Sequence, residues 1–267
     1  MRINKYIADS GLCSRREADE LIAKGKVFIS GTKARPGDKV QPGDTVVCEG
    51  KQVKGRSAKH VYIALNKPEG IICTTDPEEP DNVVDFVGYP ERIFPIGRLD
   101  RDSRGLLLLT TDGDIVNCIL RAEGRHEKEY IVDVDRPVTP EFLRGMARGV
   151  PILDTVTLPC TLTRTGLSQF DIVLTQGLNR QIRRMCEYFG YRVTALERVR
   201  IMNIHLGHLH PGDWRHLTPA ELTTLRSILD KRLDRQTPRR AKKIDPEQHE
   251  RPRAAHNAAK QNRRKDK

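Results

Sequence analysis

Three short stretches bring together side chains that can do chemistry. In Pro95-Ile96-Gly97-Arg98-Leu99-Asp100-Arg101-Asp102-Ser103-Arg104-Gly105, two carboxylates lie among three arginines. Guanidinium groups nearby favour an ionised aspartate, and an ionised aspartate can act as a nucleophile. An aspartate in a loop can equally be solvated or bonded to backbone amides, so composition alone leaves both readings open. In Asn179-Arg180-Gln181-Ile182-Arg183-Arg184, Asn179 reads as a helix N-cap. Arg180, Arg183 and Arg184 then fall on one face at i, i+3 and i+4, which suits phosphate or carboxylate partners or else a solvated basic face. In Lys128-Glu129-Tyr130 a tyrosine heads a strand, where core packing is the ordinary role.

The elements around these stretches alternate strands with helices. Val61-Tyr62-Ile63-Ala64-Leu65 runs into the turn Asn66-Lys67-Pro68-Glu69-Gly70, and Leu106-Leu107-Leu108-Leu109 ends in Thr110-Thr111-Asp112-Gly113. Tyr130, Val132 and Val134 alternate with Ile131, Asp133 and Asp135, as in a half-buried strand. Residues 60–230 are expected to be an α+β catalytic domain, and residues 231–267, with few large apolar side chains, a disordered basic tail.

Residues 1–59 read as a separate small module. Ile3, Tyr6 and Ile7 recur at helical spacing before Gly11, and Ser14-Arg15-Arg16-Glu17 has the form of a capping box. Ala18, Leu21 and Ile22 form the apolar stripe of that second helix, and Gly25 stops it. Val27-Phe28-Ile29 and Thr45-Val46-Val47 suggest short strands separated by Pro-Gly-Asp turns. Arg15 and Arg16 occupy a first helical turn, where the macrodipole disfavours cations; a local rule broken in this way hints at binding.

Charge is unevenly distributed. Residues 1–59 carry 13 basic against 7 acidic side chains (+6), residues 60–230 carry 20 against 24 (−4), and residues 231–267 carry 14 against 5 (+9). A polyanion would be gripped at the two ends and processed in the middle. The six cysteines are scattered with no C-x-x-C pair, and His205, His208 and His210 have no cysteine or carboxylate at close spacing, so neither a disulfide framework nor a metal is expected. With no long apolar run and no apolar N-terminal stretch, a soluble cytoplasmic protein is expected.

Residues Arg2 to Ala18, continuing through Gly25-Lys26-Val27 and Pro42-Gly43-Asp44, resemble an S4 RNA-binding domain. The resemblance implies that Lys5, Arg15, Arg16, Lys24 and Lys26 line a face that reads folded RNA. Gly97-Arg98-Leu99-Asp100 with Ser103-Arg104-Gly105, then Lys128-Glu129-Tyr130, then Gln176-Gly177-Leu178-Asn179-Arg180-Gln181-Ile182-Arg183-Arg184 resemble, in order, the signature elements of the RsuA-like pseudouridine synthases. The wording of the last stretch and of Gly149-Val150-Pro151-Ile152-Leu153 is similar to the branch acting on large-subunit ribosomal RNA. Many members carry His where this chain has Arg180, and Lys where it has Arg183.

The implied fold is α+β: two helices and short strands in the S4 domain, followed by a mixed, mainly antiparallel sheet flanked by helices. The implied reaction breaks an N-glycosidic bond, turns the uracil and rejoins it through carbon, without cofactor or metal. Asp100 would be the nucleophile, attacking the sugar or drawing a proton from it. Arg183 would pair with Asp100, and Tyr130 would stack on the flipped base and serve the final proton transfer. Arg98, Arg180 and Arg184 would contact RNA. The implied partner is 23S rRNA, with a transfer RNA anticodon arm or 16S rRNA as the alternative, and the chain is expected to act as a monomer. A non-catalytic S4-type ribosome-binding factor is the competing reading; an S4-fused methyltransferase is disfavoured because no G-x-G-x-x-G loop is present.

Overall fold

The protein is described from a computed structural model, which covers residues 1–54, 60–120 and 126–236. Two helices, α1 (Ile3–Asp9) and α2 (Arg15–Ala23), are followed by β1 (Val27–Ile29), β2 (Thr32–Lys33), β3 (Val46–Cys48) and β4 (Lys51–Val53). These strands form an antiparallel sheet in the order β2-β1-β3-β4. Ile3, Ile7, Ala18, Ile22 and Val27 are buried in one cluster with Val46 and Cys48, so the helical stripes read from sequence do face a common core. Gly11 and Gly25 follow the two helices with positive φ, a conformation that glycine adopts without steric cost.

The capping box forms as its sequence requires. Ser14 Oγ accepts from the Glu17 amide at 3.1 Å, and the Ser14 amide donates to Glu17 Oε2. Both bonds satisfy amides that a helix start otherwise leaves unpaired. Ser14→Ala is expected to lower stability by about 1 kcal/mol. A fall in thermal midpoint checks this, and an unchanged midpoint would contradict it.

The second region is built on a sheet that comprises, among the described residues, nine strands. It contains β5 (Tyr62–Lys67), β6 (Phe94–Ile96), β7 (Arg104–Thr110), β8 (Lys128–Val134), β11 (Thr161–Arg164), β12 (Gln169–Leu174), β13 (Val193–Ile201), β14 (Ile204–His205) and β15 (Trp214–His216). A separate hairpin pairs β9 (Pro151–Ile152) with β10 (Thr155–Val156). The main order is β11-β12-β8-β13-β7-β5-β15, with β6 beside β7 and β14 beside β13. Among the described strands of this sheet only the β13–β7 pairing is parallel, so the sheet is mixed and mainly antiparallel.

Around the sheet run α3 (Val83–Val87), α4 (Gly113–Leu120), α5 (Pro140–Ala147), α6 (Gln181–Tyr188) and α7 (Pro219–Gln236). Phe142 and Met146 of α5 and Ile182, Met185 and Cys186 of α6 pack on Val132, Phe170 and Leu196. On the far half, β5, β7 and α3 bury Ile63, Leu65, Val83, Leu107 and Leu109, and Leu99 joins them. Tyr130 borders both clusters and so stands at the seam between the two halves of the sheet.

One boundary differs from the sequence reading. The expected domain end at residue 230 coincides with the end of the compact unit Met1–Asp230, but disorder does not begin at Lys231, because α7 continues to Gln236. Lys231-Arg232-Leu233-Asp234-Arg235-Gln236 contains no glycine or proline, so a helix already running has no local signal to stop. The remainder of the basic tail, residues 237–267, lies outside the described residues. The expected division at residue 59 likewise falls within residues 55–59, outside them.

Candidate active site

The loop carrying Asp100 joins β6 to the start of β7, where Arg104 and Gly105 pair in parallel with β13. The Ser103 amide donates to the Asp100 carbonyl at 3.1 Å, and the Leu99 amide donates to Cys73 Sγ at 3.3 Å. Ser103 is buried, Asp100 is half-buried and Asp102 is exposed, so the loop turns its first carboxylate partly inward.

Arginines from the start of α6 reach this loop, but their partners differ from those expected. Arg180 Nη1 lies 3.6 Å from Asp100 Oδ2, and both of its terminal nitrogens donate to Asp102 at 3.2 Å. Arg183, only 8% exposed, donates to the Asp102 carbonyl at 2.7 Å and to Ser103 Oγ at 3.3 Å, and lies 3.3 Å from Asp102 Oδ2. The closest arginine contact to Asp100 therefore comes from Arg180, while Arg183 holds the far end of the loop. Burial raises the Asp102 pKa, but the Arg180 hydrogen bond and the charges of Arg183 and Arg180 outweigh it and hold the carboxyl below its ordinary value.

The three-arginine face is also differently built. Asn179 is not the N-cap: Arg180 occupies that position, in the left-handed region with φ 49°, and makes no capping bond. Arg180 thus stands before the first helical turn, yet its guanidinium and that of Arg183 both reach Asp102 Oδ2, at 3.2 and 3.3 Å. Asn179 instead accepts from Arg184, through its backbone oxygen at 3.2 Å and its Oδ1 at 3.4 Å. A non-glycine residue held in the left-handed region costs on the order of 1 kcal/mol, and such strain gathers at functional sites.

Tyr130 lies on β8 opposite Arg198 of β13 and Ile172 of β12. The Arg198 guanidinium carbon sits 6.0 Å from the Tyr130 ring centroid, and its Nη1 donates to the Arg98 carbonyl at 3.3 Å, which ties the tyrosine strand to the aspartate loop. The Arg98 side chain itself is exposed.

Two lysines, read from sequence as part of a turn and as the head of the Lys128-Glu129-Tyr130 stretch, are shielded from solvent, Lys67 fully and Lys128 by half. Lys67 is 0% exposed at the end of β5, where its Nζ donates to the Pro68 and Ile71 carbonyls at 2.7 and 2.8 Å. Burial pulls its pKa down against the opposing influence of Cys73, Glu69 and Asp102. Lys128 donates to the His126 carbonyl at 3.2 Å, and burial, together with the charge of Arg198, lowers its pKa as well. A lysine closing an apolar strand, as Lys67 does, was the available signal; nothing local to Arg198 distinguishes it from other strand residues.

In the N-terminal module, Arg15 and Arg16 are exposed and form no ion pair within the described residues. The other three basic residues expected to meet RNA are already paired. Lys24 lies 3.7 Å from Glu20, Lys26 lies 2.6 Å from Glu49, and Lys5 bonds both oxygens of Asp114 on α4 at 2.6 Å. With Arg92 lying 3.9 Å from Glu17, the Lys5–Asp114 pair joins the N-terminal module to the catalytic region. His205, His208 and His210 are exposed along β14 and the turn after it.

An aspartate loop, a strand tyrosine and paired arginines on a mixed sheet, behind a two-helix module with free arginines, define an enzyme that modifies RNA. The chain belongs to the RNA pseudouridylate synthase family, whose model matches residues 61–188, with an S4 domain matched at residues 1–46. It is 57% identical over 230 residues to the dual-specificity RNA pseudouridine synthase RluF of Salmonella typhi, covering 86% of this chain and 80% of that one. It is 37% identical over 238 residues to the ribosomal large subunit pseudouridine synthase B of Bacillus subtilis, covering 86% and 97%. A crystallised pseudouridylate synthase aligns with a TM-score of 0.63 at 28% identity, over 84% of this chain and 99% of that one. Among the described residues no helix is long and apolar enough to cross a membrane.

Proposed function

We propose that this synthase isomerises a uridine flipped out of folded 23S ribosomal RNA, with Asp100 as the nucleophile. The observation that carries the reading is the shared loop: Asp100 lies 3.6 Å from Arg180, on a segment fixed by Arg183 and linked through Arg198 to Tyr130. Asp100 acts on the ribose, Tyr130 stacks on the extruded uracil and passes the final proton, and Arg183 keeps the loop in register rather than pairing with Asp100 directly. Arg98, Arg180 and Arg184 receive the RNA around the pocket. Extruding the base costs a few kcal/mol, which stacking and phosphate contacts offset.

The domain division follows from the same reading. Residues 1–59 form the RNA-gripping S4 module, residues 60–230 carry the chemistry as a single chain in the cytoplasm, and the basic tail adds attraction. Of the five basic residues expected to meet RNA, Arg15 and Arg16 are the two without an ion pair among the described residues, so replacing both with glutamine should flatten the salt dependence of RNA binding. Each lost phosphate contact removes roughly 0.7–0.9 from the slope of log affinity against log salt. An unchanged slope would remove these arginines from the interface.

A second reading has the same chemistry acting on a transfer RNA anticodon arm, in place of or besides 23S rRNA. The similarity to synthases named dual-specificity favours two RNA classes. Pseudouridine mapping of 23S rRNA, 16S rRNA and transfer RNA, with and without the gene, decides between them. Loss of a 23S site is the expected result; a loss confined to transfer RNA or to 16S rRNA would overturn the 23S assignment.

A further inference from the structure

Arg198 lies in β13 with 3% of its surface exposed. Among the described residues no carboxylate comes within ion-pairing distance of it, and its Nη2 is buried without a hydrogen bond. A cation this deep without a counter-charge is unfavourable for the fold, and an apolar side chain of similar volume would avoid the cost. A group retained against such a cost needs a reason beyond packing.

The guanidinium makes two directed bonds that flank the Asp100 segment, one to the loop and one to the strand that follows it. Nε donates to the Leu106 carbonyl at 2.7 Å and Nη1 to the Arg98 carbonyl at 3.3 Å. Between those carbonyls run Leu99 to Gly105, the segment that holds Asp100, Asp102 and Ser103. The same guanidinium lies 6.0 Å from the Tyr130 ring centroid, and Arg198 is the cross-strand partner of Tyr130 and the parallel partner of Gly105. One rigid plane therefore fixes where the aspartate loop leaves its strands and where the tyrosine stands relative to it. A lysine, as a point charge on a flexible stem, cannot reproduce that fork.

We propose that Arg198 is a positioning residue for the isomerisation: it clamps both ends of the Asp100 loop and sets that loop against Tyr130, so that both act on the same flipped nucleotide. The inference rests on the assignment of Asp100 as the catalytic group.

The test compares Arg198→Lys and Arg198→Gln with the wild type and with Asp100→Asn. Single-turnover pseudouridine formation, RNA dissociation constant and thermal midpoint are measured on the full chain. Misplacing a reacting group by about 1 Å costs on the order of a hundredfold in rate. Arg198→Lys is therefore expected to lose about 10- to 100-fold in the chemical step with RNA affinity within about twofold, a split that a purely structural role would not produce. Arg198→Gln, which keeps one planar donor for one of the two carbonyls, is expected to lose a similar amount. A wild-type rate in both variants, a loss of rate matched by an equal loss of affinity, or failure of both to fold would overturn the proposal. If Asp100→Asn is inactive and Arg198→Lys is fully active, only this inference falls; if Asp100→Asn is active, the Asp100 assignment falls with it.

Discussion

Replacing Asp100 with asparagine is expected to abolish pseudouridine formation while leaving RNA binding within about twofold of the wild type. The substitution keeps the volume and removes the nucleophile, and losses on the order of 10⁴-fold or more accompany removal of an attacking group elsewhere. The fold should tolerate it. Asp100 is half-buried, its side chain makes no hydrogen bond among those seen within the described residues, and its one close charge, Arg180, retains two bonds to Asp102. Chemical mapping of pseudouridine after incubation with the variant checks the first half, and a binding titration the second. A variant that bound RNA normally and still formed pseudouridine would leave the S4 module and the sheet as an RNA-binding scaffold with its chemistry elsewhere.

Gly105→Ala is expected to cost stability and activity together, by about 3 kcal/mol or more. Two effects add. Gly105 has φ +100°, where an L side chain is strained, and a Cβ there would lie 2.4 Å from the Arg198 carbonyl oxygen and 2.7 Å from its amide nitrogen. Both neighbours are backbone in the parallel β7–β13 contact, so the overlap can be relieved only by separating the two strands that carry the Asp100 loop and Arg198. For a domain of this size such a loss corresponds to a fall of roughly 6–12 °C in thermal midpoint. Gly177→Ala provides the contrast: no heavy atom lies within 4 Å of its Cβ, and little change is expected. Equal midpoints for the two variants would mean that the close approach of β7 and β13 tolerates a methyl group.

Much of the molecule is legible in local spacing. The Ser14–Glu17 box, the Ile3–Ile7 and Ala18–Ile22 stripes and the Gly11 and Gly25 stops each depend on residues within one or two helical turns, and each forms as its spacing requires. The alternation of Val132 and Val134 with polar neighbours is likewise a property of one strand, and both valines are buried. The three signature stretches point to the chemistry only together, through the order in which they resemble the elements of the RsuA-like pseudouridine synthases; each alone has an ordinary structural reading.

What the tertiary structure alone decides is which charged group meets which. Spacing places Arg180 and Arg183 on one helix face; in the fold Arg180 stands before the helix in a left-handed backbone, both arginines converge on Asp102, and only Arg180 also approaches Asp100. Lys5 meets Asp114 across 109 residues, and Arg198 meets the Arg98 carbonyl across 100. Lys67 resembles an ordinary turn lysine until the strand before it is buried. Hydrogen bonds and ion pairs are decided over a few tenths of an ångström, between groups that only strand register and loop closure bring into range. Local spacing thus determined most helices and strands and the class of reaction, while the approach of α6 and β13 to the β6–β7 loop decided which charged groups lie beside Asp100.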